Sequence, residues 1–262
     1  MGALTVERLA EGLLEQTDGL ARTIDGADPE TWIPTCPDWA LGVLVEHVGQ
    51  AVHWAAALVE RGAAEPGLPA QPGSLELEPH QWPDWLRGGA DRLVAAVQGR
   101  PQEVWSFLGP QPASFWLRRM LHETAVHHAD AAIALDAGYE YAPDLAADGI
   151  SEALDMMTKA AALGLSARLA RLRGSGETLG FRPEEDGLEG WLVTRMPEAI
   201  RWTRGRGATD VVVTGRAADL LLLLARRVPA DESPVRVQGD RALLDHWLEH
   251  TAFEGAKPET VS

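Results

Sequence analysis

A chain of 262 residues is long enough for one large domain or two small ones, each able to bury a core. With 45% apolar and 24% charged residues, its composition is that of an ordinary soluble globular protein. A net charge of −16 excludes a general nucleic-acid binder and argues against docking to anionic lipid, so the acidity reads as a solvated surface.

No basic segment followed by an apolar run opens the sequence, and the longest strongly apolar run, Leu220 to Ala225, is too short to span a bilayer. The single cysteine, Cys36, cannot form an intrachain disulfide. A cytoplasmic location is expected.

In chain order, Val6, Leu9, Leu13 and Leu20 stripe a first helix. TCPD then breaks the chain, and Asp38 is expected to cap a second amphipathic helix that runs to about Arg61, before Gly62. The segment Ala64 to Gln81 carries four prolines and two glycines and reads as a long loop. Pro83 and Asp84 open a third helix with Leu86, Leu93, Val94 and Val97 on one face. After a break at Gly109 to Pro112, a fourth helix follows to about Ala137. The expected architecture is a four-helix bundle with at least one long crossover loop.

After Asp144 the texture changes. Ser151 to Leu172 reads as helix, followed by short strands at Glu177 to Phe181, Trp191 to Thr194, Ala199 to Thr203 and Asp210 to Val213. A strongly apolar helix, Gly215 to Arg227, a strand at Val235 to Val237 and a last helix through Leu248 complete the pattern. The expected domains are a helical bundle at 1–143 and a small α+β domain at 150–255, joined near residues 142–150.

The chemistry concentrates on the fourth helix. Trp116, Met120, Glu123 and His127 recur at helical spacing, placing an acid and an imidazole one turn apart. His47 lies near the apolar edge of the second helix. Two histidines and a glutamate converging from two packed helices would form a three-ligand metal site with an open position. Each residue also has a plainer reading, as an exposed Glu–His pair and as a satisfied core histidine. The zinc-protease motif H-E-x-x-H is absent: His122 lies five residues before His127, about 140° away on a helix. His128 and His53 are similarly off the face.

Two blocks, PTCPDWALGVLVEHVG and RRMLHETAVHHADAA, resemble those of the mycothiol-dependent maleylpyruvate isomerase family, whose N-terminal bundle belongs to the DinB/YfiT-like metal-binding superfamily. GRAADLLLLLARR and GDRALLDHWL resemble that family's second domain, which is similar to sterol-carrier-protein folds. The resemblance implies metal ligands at His47, Glu123 and His127, Zn²⁺ as the metal and mycothiol as cosubstrate. It implies an isomerase or S-transferase: the thiolate adds to a small electrophile and either leaves again after bond rotation or stays attached. Family members often have Arg where this chain has His128.

Several other residues admit more than one role. Asp130, nearly a turn beyond His127, could orient a ligand imidazole, lie on the surface or pair with an arginine. Trp54 and Trp116, each seven residues from a proposed ligand, could wall the metal pocket, although core and loop-anchoring roles are the ordinary ones for tryptophan. Arg226 could reach an anionic substrate or satisfy a helix C-terminus. Cys36 reads as packing at a loop–helix junction, or as a thiol activated by the helix dipole. The alternative function is a non-catalytic metal-binding or small-molecule carrier protein on the same scaffold. Either a monomer or a homodimer is compatible with the sequence.

Overall fold

The computed structural model describes residues 4–67, 77–98, 103–164 and 166–251. Helix α1 (Val6–Thr23) starts at Thr5, whose hydroxyl accepts from the Arg8 N–H at 3.2 Å, and buries Leu9, Leu13 and Leu20. Helix α2 (Leu41–Arg61) closes on Gly62, which takes the left-handed conformation (φ 58°) suited to a glycine at a helix end.

The start of α2 differs from expectation. Asp38 is exposed and caps nothing; Ala40 occupies the cap position without a side-chain bond. Residues 31–40 instead fold back on themselves, with Ile33 N–H bonded to the Trp39 carbonyl and Trp39 N–H to that of Cys36. This turn delivers the carbonyls of Thr31 and Pro29 to the N–H groups of Leu41 and Gly42, at 2.8 and 2.9 Å. The free donors of the helix end are met by backbone, so no capping side chain is needed.

Part of the Ala64–Gln81 segment, residues 68–76, lies outside the described residues; Pro79–Gln81 forms one 3₁₀ turn. Helix α3 (Trp82–Val97) follows, then a two-stranded ribbon of β1 (Glu103–Val104) and β2 (Gln111–Pro112), then α4 (Ser114–Ala134).

These four helices close a ring in which α1 packs on α3 and α4, and α2 on the same two. Gly12 abuts Leu121 and Gly19 abuts His128, so α1 and α4 run parallel. His47 meets Glu123 while Trp54 meets Trp116, so α2 runs antiparallel to α4. Glycines 49 and 89 face Trp85 and His53, which makes α2 and α3 parallel. Consecutive parallel helices require the chain to return along the length of α2, 21 residues or roughly 30 Å. That return is the reason for the long loop.

Gly49 marks the tightest approach of α2 to α3. A Cβ there would sit 2.0 Å from Trp85 Cζ3, on a rigid ring. In an open helix Gly→Ala stabilises by about 1 kcal/mol. Here Gly49→Ala is expected to destabilise by roughly 1–3 kcal/mol through overpacking, read as a lower urea midpoint.

Helix α5 (Pro143–Ala162) begins eight residues earlier and ends ten earlier than the expected Ser151–Leu172. Proline suits a first helical position, and Asp144 is fixed there by Arg8 at 2.8 Å. Gly164 (φ 68°) ends the helix, and Leu169–Leu172 forms a separate 3₁₀ turn. The chain divides into two compact units between Gly149 and Ile150, inside α5.

The second unit is built on one mixed sheet. Its strands are β3 (Thr178–Pro183), β4 (Trp191–Arg195), β5 (Ile200–Arg204), β6 (Val211–Gly215) and β7 (Arg236–Gly239), in the order β5-β4-β3-β6-β7. Only β3 and β6 are parallel, with Phe181 opposite Val213. Helices α6 (Ala217–Leu224) and α7 (Arg241–His250) contribute Leu220, Leu223, Leu244 and Trp247 to its core, alongside Leu179, Phe181, Trp191 and Val193. Residues 252–255 of the expected domain lie outside the described residues.

Candidate metal centre

Helix α4 is buried on nearly every side, so its histidines and charged side chains need partners. They find partners in three directions. His122 lies between Tyr141 Oη (2.8 Å) and Asp148 (2.9 Å), the latter also bound by Arg118. Burial alone would raise the Asp148 pKa, but His122 and Arg118 outweigh it and bring it to about 2.

His128 faces α1. Its Nδ1–H donates to Gln16 Oε1 at 2.9 Å, and Nε2 accepts from Thr23 at 3.3 Å. One donor and one acceptor suit a neutral imidazole, and burial with nearby Arg22 pushes its pKa down to about 4. His128 therefore points away from His47, Glu123 and His127, into the α1 interface. Because its unfolded pKa is near 6.5, the unfolded chain binds the extra proton first. The stability this site contributes is complete above pH ~6.5 and is lost as the pH falls toward 4, about 3 kcal/mol in all. His128→Gln is expected to lose less stability than the parent between pH 7 and 4.5, measured by urea midpoints. Parallel losses would refute this assignment.

The third direction brings the proposed ligands together. Glu123 Oε1 lies 3.2 Å from His47 Nε2 on α2 and 3.2 Å from His127 Nε2 one turn along α4. All three donor atoms fall within 4.8 Å of one another. Two ligand atoms 2.0–2.1 Å from a tetrahedral zinc are separated by roughly 3.3 Å, so the donor set fits that ion. The cluster grades from closed to open: the His127 side chain is 6% exposed, Glu123 26% and His47 40%. An incoming ligand would enter on the His47 side.

Asp130 lies against the other side of His127. It is fully buried, and its Oδ2 accepts from His127 Nδ1–H at 2.8 Å. Thr35 Oγ1 donates to its Oδ1 at 2.6 Å, and Cys36 Sγ lies 3.7 Å from Oδ2. A carboxylate only accepts, so the proton is held on Nδ1, which would leave the Nε2 lone pair to face a metal. Burial by itself would lower the His127 pKa, but Asp130 and Glu123 reverse this and raise it. Glu123 is held well below the usual carboxylate range: burial opposes this, but the Arg119 charge and the two histidine bonds prevail. Arg119, one turn before Glu123, binds its Oε2.

The structure separates the remaining candidates. Trp54 and Trp116 stack edge-to-face with each other (4.9 Å) in a cluster with Trp105, whose carbonyl accepts from Trp116 Nε1 at 2.7 Å. They lie two turns from the proposed ligands, roughly 10 Å along the helices. Trp39, in the turn before α2, walls the site instead, with ring centroids 4.9 Å from His47 and 5.5 Å from His127. No periodicity flags Trp39 or Thr35, because both sit in irregular chain; Arg119 was missed too, although its i, i+4 spacing from Glu123 is a signal for it. Arg226 follows α6 with φ 61° and donates to the Leu248 carbonyl at 2.7 Å, satisfying the end of α7. Cys36 packs against the bundle core beside Ile33 and Leu41. Among the described residues one other set could hold a metal, Cys36, His127 and Asp130, but it would displace the proton between His127 and Asp130.

A four-helix bundle that brings two imidazoles and a carboxylate to one point, followed by a mixed-sheet unit, defines the class of protein. The sequence matches the mycothiol maleylpyruvate isomerase N-terminal domain over residues 10–132 and the C-terminal domain of the same family over residues 144–246. The chain belongs to the mycothiol-dependent maleylpyruvate isomerase family. The crystal structures of the mycothiol-dependent maleylpyruvate isomerase and of a histidine-to-alanine mutant of it each align over 88% of this chain and 93% of theirs. Both have a TM-score of 0.57 and 19% identity, a likeness of fold: a helix-rich N-terminal region followed by a mixed α/β domain. A ubiquinone synthesis protein, UbiJ-SCP2, covers 44% of this chain at a TM-score of 0.30, which carries no argument about the second unit. No curated protein matches the sequence. No helix among the described residues is long and apolar enough to cross a membrane.

Proposed function

We propose that this protein is a mycothiol-dependent isomerase or S-transferase acting on a small electrophile, with one zinc ion held by His47 Nε2, Glu123 Oε1 and His127 Nε2. Family membership supports the thiol and the isomerase reading. The observation that carries the metal is one carboxylate oxygen set 3.2 Å from two imidazole nitrogens on different helices. Zinc bound there would keep the mycothiol sulfur as thiolate at neutral pH, the nucleophile this reaction needs.

The protein's own residues have separate tasks in this reading. Asp130 holds the proton on His127 Nδ1 and fixes the ring. Trp39 stacks on His127 and lies tilted against His47, shielding that side from water. His47, the most exposed ligand, borders the side from which thiol and electrophile would arrive. The same reading places the protein in the cytoplasm, where a thiol cosubstrate stays reduced.

The test is metal content by mass spectrometry, followed by turnover of maleylpyruvate with and without mycothiol. Near-stoichiometric zinc and thiol-dependent turnover are expected. A purified protein that takes up no metal even from added Zn²⁺ would sink the thiol-activation role. Metal without turnover of this or any other electrophile would leave a binding protein.

A further inference from the structure

Glu123 divides its two oxygens between different partners. Oε1 faces both imidazole Nε2 atoms at 3.2 Å, while Oε2 is taken by the Arg119 guanidinium from the preceding turn. The Arg119 side chain is 16% exposed, and the i, i+4 spacing on a rigid helix fixes the pair. An untethered carboxylate can bind a metal through both oxygens and so occupy two coordination positions. With three protein ligands and one water, that second oxygen would make the site five-coordinate and crowd the position that an incoming thiol takes from the water.

We propose that Arg119 is a positioning residue that holds Glu123 as a one-oxygen ligand and so keeps a coordination position open for the thiol. This rests on the proposed metal site. Its guanidinium is suited to the task because it stays charged and donates from a planar fork, so Oε2 remains engaged while Oε1 is shared.

The experiment replaces zinc by Co²⁺, whose visible spectrum distinguishes four- from five-coordinate sites, in the full-length parent protein and in Arg119→Met and Arg119→Lys. The parent is expected to bind one cobalt with the intense bands of a four-coordinate site. Arg119→Met is expected to retain the cobalt but show the weaker five-coordinate bands, and to lose at least tenfold in mycothiol affinity measured by titration of those bands. Arg119→Lys, which keeps a charged donor, is expected to recover most of the four-coordinate spectrum. Failure of the parent to bind cobalt would overturn the metal site itself. A five-coordinate parent would overturn the role of Arg119 alone, even if the methionine variant did not fold. So would a methionine variant with unchanged spectrum and thiol affinity, or one that releases the metal.

Discussion

His127→Ala is expected to leave the purified protein without zinc and without thiol-dependent turnover. His127 is the most enclosed ligand, and both of its nitrogens face carboxylates. Its loss leaves His47 and Glu123, two ligands from different helices. Structural zinc sites bind with about 10–16 kcal/mol shared among four ligands, so each ligand carries on the order of 3 kcal/mol, a hundredfold or more in Kd. The apoprotein should also suffer. Asp130, fully buried, loses a charge-assisted donor, and a buried acceptor left short of a partner costs about 1–3 kcal/mol. Metal analysis and thermal melts with and without Zn²⁺ separate the two effects. The parent melting temperature should rise with zinc and that of the variant should not. Equimolar zinc in the variant would show that the ligand set is wrong.

Asp130→Asn is expected to keep the site but weaken it. The amide oxygen can still accept from His127 Nδ1–H, but the charge that strengthens the bond is gone. The new amide protons would face Thr35 Oγ1 in a fully buried position. Removing such a partner of a metal-bound histidine typically costs 10–100-fold in metal affinity. That loss should appear in a chelator competition, with full occupancy recovered at excess Zn²⁺. Thr35→Val, which removes one hydroxyl donor and leaves the carboxylate in place, is expected to cost less. A zinc Kd for Asp130→Asn within twofold of the parent would show that Asp130 does not tune His127.

The residues of the proposed metal site differ in how far the sequence exposed them. Glu123 and His127 are one turn apart on one helix, so their approach is a local property that helical spacing reveals. His47 needed the packing of α2 against α4: helix spacing offered the three as a set, and the resemblance of two sequence blocks pointed to the same three. Trp54 and Trp116 show the converse. Lying seven residues from a ligand places a side chain on the same face but two turns away, and these rings meet each other instead. Trp39 and Thr35 come from a turn whose conformation is set by backbone bonds between Thr31 and Leu41, which no pattern in the sequence announces.

The elements themselves were largely written in the sequence. Apolar spacing of 3.6 or 2, with Gly and Pro at the breaks, depends on neighbours a few residues away. The helices of the bundle and the strands of the second unit were therefore found to within a few residues. Two exceptions are helix starts where a nonlocal partner competes with local signals; the end of α5, ten residues short of Leu172, and the β1–β2 ribbon also differ. Asp38 was passed over because distant carbonyls already met the α2 donors. Helix α5 starts at Pro143, next to an Asp144 anchored by Arg8. Tertiary structure alone decided which partners the buried polar groups find on other elements. Burying a charge or an imidazole is tolerable only where a specific group waits for it. Gln16 serves His128 from 112 positions away and Thr35 serves Asp130 from 95. Those separations lie beyond any local pattern, and only the closing of the four-helix ring brings the groups within bonding distance.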